Sequence, residues 1–210
     1  MMDDVTRRTV ILGLAAVAVG SLFSCNTTEK GGPAVADPNL QQKLDAIFKA
    51  HMDAELSGNL DKTLATMAPN PHLVNVPTMV GGQGPEGVRT FYAKRLIGQF
   101  FPPDVKFESI SRTYSQERLV DELIISFTHT TKIDWMLPGI NPTGKHVEVV
   151  FVVIVGIEGD KVSYEHIIWD QANVLVQIGL LDPTGLPVTG AGAAAKLRNP
   201  ALPDPFFNEG

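Results

Sequence analysis

The sequence predicts an α+β domain in which about three N-terminal helices pack on one face of a curved antiparallel sheet. Two features carry this. Apolar residues recur at helical spacing as far as Leu96, and from Val105 onward their period drops to two. The later segments are also joined by tight-turn signals rather than by crossover-length links, which is the mark of antiparallel neighbours. Composition agrees: 44% of the 210 residues are apolar and 19% are charged, enough for one core and too few charges for a disordered chain.

The first helix is marked by Leu40, Leu44, Ile47, Phe48, His51, Met52 and Leu56, and Gly58 is its natural stop. Asn59 or Asp61 caps a second, short helix through Leu64 and Met67, which Pro69-Asn70-Pro71 ends. His72 to Pro77 reads as a short extended piece and Gly81-Gly82-Gln83-Gly84 as a loop. Pro85 and Glu86 suit the first turn of a third helix, whose apolar stripe is Val88, Phe91, Tyr92 and Leu96.

Four strands are expected next: Val105 to Tyr114, Leu119 to Trp135, His146 to Ile157, and Val162 to Gln177. Ser115-Gln116-Glu117 and Glu158-Gly159-Asp160-Lys161 supply turns, and the stretch from Leu137 to Gly144 breaks the sheet. With Gly159-Asp160 as a two-residue turn, Val149 opposes Asp170, Phe151 opposes Ile168 and Val153 opposes His166. Tyr164, His166 and Asp170 then share an apolar-lined face, a pocket wall; a slip of one residue would send them to the other side.

Residues 1–24 read as an export signal. Arg7-Arg8 precede Val10–Phe23, an uncharged apolar run of 14 residues. A membrane-spanning helix needs about 20, so the run has the length of a signal-peptide core. It ends in Leu22-Phe23-Ser24-Cys25, which resembles a bacterial lipobox with an unusual Phe, and the arginine pair resembles a twin-arginine signal. Simple signal cleavage is the alternative. Cys25 is the one cysteine, so no disulfide can form within the chain. Residues 25–38 form a flexible tether, 39–182 the folded domain and 183–210 a C-terminal extension, either a strap or a frayed tail. The expected location is the bacterial cell envelope or periplasm, with membrane contact only through a lipid anchor.

With 17 basic and 23 acidic side chains the net charge is −6, which leaves no electrostatic footprint for nucleic acid. There is no serine nucleophile elbow, P-loop or dinucleotide fingerprint, and no cofactor is expected. His146 and Glu148, with Glu165, come nearest to a metal set, but an ion network is the better reading and no metal is expected.

Several runs carry a resemblance: Phe127-Thr128-His129, Ile133-Asp134-Trp135-Met136-Leu137-Pro138-Gly139, Pro142-Thr143-Gly144, Glu165 to Gln171, and Gln177 to Leu181. Together with the order of elements from Leu40 to Leu181, they resemble the SnoaL-like polyketide cyclases. That family shares the nuclear-transport-factor-type cone, a curved sheet around an internal pocket. The resemblance implies an aspartate on a late strand acting as acid and base in an aldol ring closure, without metal or cofactor. Asp170 is the matching position.

Asp170 also has a physical case, because a carboxylate in an apolar strand must be paired, hydrogen-bonded or raised in pKa. The competing reading is a structural carboxylate satisfied by backbone N–H groups. His129 or His166 would orient a carbonyl, Phe127, Trp135 and Phe151 would wall the site with Tyr164 beside them, and Asn75 and Tyr92 would complete a polar rim. The expected partner is a small apolar or carbonyl-containing molecule, and the expected chemistry is aldol-type cyclisation or isomerisation. A non-catalytic ligand-binding module of the envelope is the alternative. A homodimer is expected too. Val149, Phe151, Val153 and Val155 point one way and Val150, Val152 and Ile154 the other, so both faces of this strand are apolar and the helices cover only one.

Overall fold

The computed structural model describes residues 37–206. The expected export signal, Cys25, nearly all of the tether and Phe207 lie outside the described residues. Helices α1 (Pro38–Leu56) and α2 (Leu60–Ala65) are followed by β1 (Met67–Asn75), β2 (Val80–Gln83) and α3 (Gly84–Phe91). Next come a π-helical turn (Tyr92–Leu96), β3 (Lys106–Tyr114), β4 (Arg118–Thr128), β5 (His146–Glu158), β6 (Lys161–Trp169), α4 (Gln171–Gln177) and α5 (Gly192–Arg198). No helix among the described residues is long and apolar enough to cross a membrane.

Six strands form one sheet in the order β2-β1-β6-β5-β4-β3, and only the β1–β6 pairing is parallel. The α+β architecture is the expected one. The second helix opens as predicted, Asn59 accepting from the Lys62 amide at 3.0 Å, and the first is capped in the same way by Asp37, which accepts from the Asn39 amide at 2.9 Å, each satisfying an orphan N–H. The inner row of β5, Val149, Phe151 and Val155, is buried against Leu44, Phe48 and the inner residues of β4.

Four expectations need correction. His72 to Asn75 is extended as expected, but the proline-rich stretch before it, from Met67, is the start of the same strand rather than a helix end; β1 pairs with β2 only from His72 onward, which leaves its prolines outside that ladder. Val80–Gln83 is a short strand, not a loop. The long strand stops at Thr128. The chain from His129 to Gly144 is a loop that doubles back, with the Gly144 amide bonded to the His129 carbonyl, and its apolar residues Ile133, Trp135, Met136 and Leu137 plug the core. Alternation in this stretch reflected burial from a loop, not a pleat.

The fourth correction moves the site. The last strand ends at Trp169, and Asp170 begins α4 as its N-cap, accepting from the Asn173 amide at 3.0 Å and from its side-chain N–H at 2.8 Å. Within β6 the Glu158–Lys161 turn pairs as expected, but Ile157 faces Val162 while Gly156 faces Tyr164. Ser163 is therefore an extra residue, a bulge that shifts the register by one. Phe151 opposes Trp169, Val153 opposes Ile167 and Ile154 opposes His166. Tyr164 and His166 therefore lie on the outer face, and Glu165, Ile167 and Trp169 on the inner one. The cause is steric. A Cβ on Gly156 would fall 2.0 Å from the Tyr164 ring, so only glycine lets that ring lie across the strand. Beyond Trp169, the Gln177 side chain takes the place of a strand partner, accepting from the Glu148 amide at 2.8 Å and donating to its carbonyl at 2.9 Å.

Candidate active site

A cavity of about 420 Å³ lies between α1 and the inner face of the sheet. It is apolar for most of its lining: Phe48 and Met52 from α1, Leu123 and Ile125 from β4, Phe151 and Val153 from β5, and Trp135 from the plug loop. Exposed Lys49 and Phe107 also line it, so it opens to solvent. Trp135 is fixed by donating to the Phe100 carbonyl at 2.9 Å and by edge contacts with Phe101 and Trp169 at 5.2 and 5.6 Å.

Two groups of charged residues meet this apolar wall. Asp45, Phe48, Met52 and Glu55 follow one another at helical spacing along α1, so one stripe delivers both polar and apolar lining. At one position Arg112 holds Asp121 through two bonds of 3.0 and 2.7 Å and Asp45 through a third of 2.8 Å, with its guanidinium 5.2 Å over the Phe48 ring. Tyr114 donates to Asp45 at 2.9 Å. The bond to Asp121 raises Arg112 further above its ordinary range against burial, with Asp45 adding to it. This network ties α1 to β3 and β4 and keeps the guanidinium permanently charged.

The second group is buried. Glu55 and Glu165 line the cavity, and His51 stands behind them, fully buried. Thr66 donates its hydroxyl to the Thr63 carbonyl at 2.6 Å, so its oxygen accepts from His51 Nδ1 at 2.6 Å. His51 Nε2 then faces Glu55 and Glu165, each at 3.4 Å, and the Tyr92 hydroxyl at 3.2 Å. Tyr92 donates to Glu55 at 2.8 Å. Burial alone would lower the imidazole pKa, but Glu165 and then Glu55 outweigh it and raise it to about 10. His51 is therefore an imidazolium at neutral pH. Burial raises Glu55 above the ordinary carboxylate range, His51 opposes this, and the neighbouring charge of Glu165 adds to it. Burial and then the charges of Glu55 and Glu165 keep Tyr92 protonated.

Such a cluster can exchange a proton with a guest in the cavity: one imidazolium cannot neutralise two carboxylates, so one of them readily takes up a proton. His51, Glu55 and Glu165 also offer ligand atoms within 4.8 Å of one another, the set in the described residues closest to a buried metal site. The proton on His51 Nε2 would have to leave before a metal could bind there.

Of the residues singled out in the sequence, Trp135 and Phe151 line the cavity, and Tyr92 reaches it through Glu55. The others lie elsewhere. Asp170 is exposed at the α4 cap. His166 and Tyr164 are on the outer face. Phe127 is buried against Phe101, with ring centres 5.5 Å apart. Asn75 is buried beside the β1–β2 turn and donates to the Val80 carbonyl at 3.0 Å. His129 is buried where the plug loop begins, 3.2 Å from the Thr143 hydroxyl, and burial lowers its pKa. His51, Glu55, Arg112 and Asp121 were not singled out as site residues. A histidine and a glutamate four apart on the buried stripe of the first helix was the available signal.

No protein-family model matches the chain, and no curated protein matches it. Among solved structures, a protein from Jannaschia sp. CCS1 assigned to the SnoaL-like polyketide cyclases aligns with a TM-score of 0.53 and 17% identity, over 70% of this chain and 97% of that one. AclR from Streptomyces galilaeus, assigned as a hydroxylase, aligns with a TM-score of 0.51 and 18% identity, over 74% of this chain and 99% of that one. The chain has the SnoaL-like cone fold.

Proposed function

We propose that this chain is a cofactor-independent acid/base enzyme. It moves a proton at a carbon next to a carbonyl, on a small and largely apolar molecule held in the cone. The observation that carries this reading is the pair of carboxylates, Glu55 and Glu165, set in an apolar cavity wall around one buried imidazolium. The fold alone would not suffice, since one neighbour is assigned as a cyclase and another as a hydroxylase.

In this reading Glu165 takes the α-proton of a bound ketone. Glu55, whose raised pKa favours its acid form, donates a hydrogen bond to the oxygen on which the enolate charge collects. His51 is a positioning residue that compensates the charge of whichever carboxylate is ionised, and Tyr92 orients Glu55. The proton then returns at another carbon, an isomerisation, or the enolate carbon attacks a second carbonyl and Glu55 protonates the new alkoxide, an aldol closure after which the proton on Glu165 passes back to Glu55 and restores the starting state.

The reading is tested with 2-tetralone, an apolar bicyclic ketone, in D₂O. The full chain is expected to speed deuterium entry at the α-carbons, followed by proton NMR. Saturable binding of the ketone with no faster exchange would instead favour a non-catalytic ligand carrier.

We also propose that the protein is exported and anchored by a lipid on Cys25. The Cys25→Ala variant is expected to leave the membrane fraction, and unchanged fractionation would exclude the anchor. Finally, we propose a homodimer formed through the outer face of the sheet. Arg198 of α5 bridges Glu108 and Glu148 and covers one end of that face. On the same face Val152, which is half-buried, pairs across the strands with Ile168, which is 38% exposed. A symmetric contact between copies would bury them. Val152→Lys is expected to shift sedimentation from dimer to monomer, and a wild type that sediments as a monomer would contradict the pairing.

A further inference from the structure

On the outer face, away from the cavity, His72 of β1 and His166 of β6 bring their Nε2 atoms to 3.1 Å of each other. The two strands are parallel neighbours, with His72 beside Tyr164 and Val74 beside His166, so the imidazoles approach diagonally across the seam. Both rings are braced. His72 stacks on Tyr164 with centres 5.0 Å apart and planes within 10°, and His166 lies 4.9 Å from the same ring. Tyr164 in turn rests on Gly156, where any Cβ would collide with it. The backbone register is fixed from the other face, where Leu73 and Glu165 are buried.

We infer that His72 and His166 form a two-imidazole site for a borderline divalent cation such as zinc, copper(II) or nickel. Two nitrogens bound about 2.05 Å from one ion lie about 2.9 Å apart at a right angle and about 3.3 Å apart at the tetrahedral angle. The observed 3.1 Å falls between these values. Without metal the same pair closes as one N–H···N hydrogen bond, so the rings are already in place and binding asks only that the bridging proton move from Nε2 to Nδ1 of its own ring, a change of tautomer. Both rings are partly exposed, which leaves the remaining coordination positions open to water or to a partner's side chain. The ion would clamp the one parallel seam of the sheet, joining the β2–β1 pair to the four antiparallel strands.

Zinc chloride titrated into the untagged full chain tests this, read by calorimetry and by the unfolding midpoint. One ion per chain is expected, with a raised midpoint because the ion binds the folded state. His72→Gln and His166→Gln, at partly exposed positions, should fold and should each weaken binding by about tenfold or more, at least the loss that follows removal of a mere orienting group. Glu165→Gln should leave it intact. The assignment fails if wild type binds no zinc. It also fails if the histidine variants bind as tightly as wild type, or if binding is lost in Glu165→Gln, which would place the ion in the cavity.

Discussion

Glu165→Gln is expected to slow exchange of the 2-tetralone α-protons by about a hundredfold to ten-thousandfold, the usual range for losing a positioned general base. The substitution keeps the shape of a buried side chain and leaves Glu55 as the partner of His51, so the fold should survive. Asp170→Asn is expected to exchange at the wild-type rate, because asparagine caps a helix as well as aspartate does and the residue is exposed at the start of α4. Equal rates in Glu165→Gln and wild type would remove Glu165 from the chemistry.

The second large effect concerns stability. His51→Gln removes the positive charge between two buried carboxylates. Breaking a buried ion pair in this way costs about 3–5 kcal/mol, which for a chain of this size lowers the unfolding midpoint by roughly 10 °C. The wild type should also show a characteristic pH dependence. His51 titrates near 6.5 when unfolded and near about 10 when folded, so between these values the folded state holds the extra proton. Its contribution is complete below pH 6.5 and is lost as pH rises toward 10. Glu55, also raised, acts in the same sense from pH 4.5 upward. The midpoint should therefore fall from neutral to alkaline pH in wild type and change less in His51→Gln. Parallel pH profiles for the two proteins would contradict the imidazolium.

Helices α1 to α3, the antiparallel run from β3 to β6 and the inner row of β5 were legible because they rest on period and burial, which the sequence carries directly. The position of the acid was not. It depended on register, and a single bulged residue, Ser163, exchanged the faces of β6. The cue was Gly156, a glycine inside an otherwise apolar strand, which often marks a bulge or a close approach. Asp170 misled for a related reason. The apolar run from Ile167 to Val176 fits a buried strand or a helix equally well by hydropathy. Asp170 with Asn173 three residues later was the helix-start signal within it. The plug loop deceived through alternation, since Ile133 and Trp135 are buried by a turn that happens to space them by two. His51 was visible only as one more member of an apolar stripe. Its partners come from two other parts of the chain, 37 residues from Glu55 to Tyr92 and farther still to Glu165, and only the fold assembles them.

The most direct test of the central claim is a crystal structure with 2-naphthol, an apolar bicyclic enol that stands in for the enolate. Its rings should lie in the cavity against Phe48, Trp135 and Phe151, with its hydroxyl within hydrogen-bonding distance of Glu55 or Glu165. Naphthol bound on the outer face of the sheet, or in the cavity with its hydroxyl away from both carboxylates, would contradict the account.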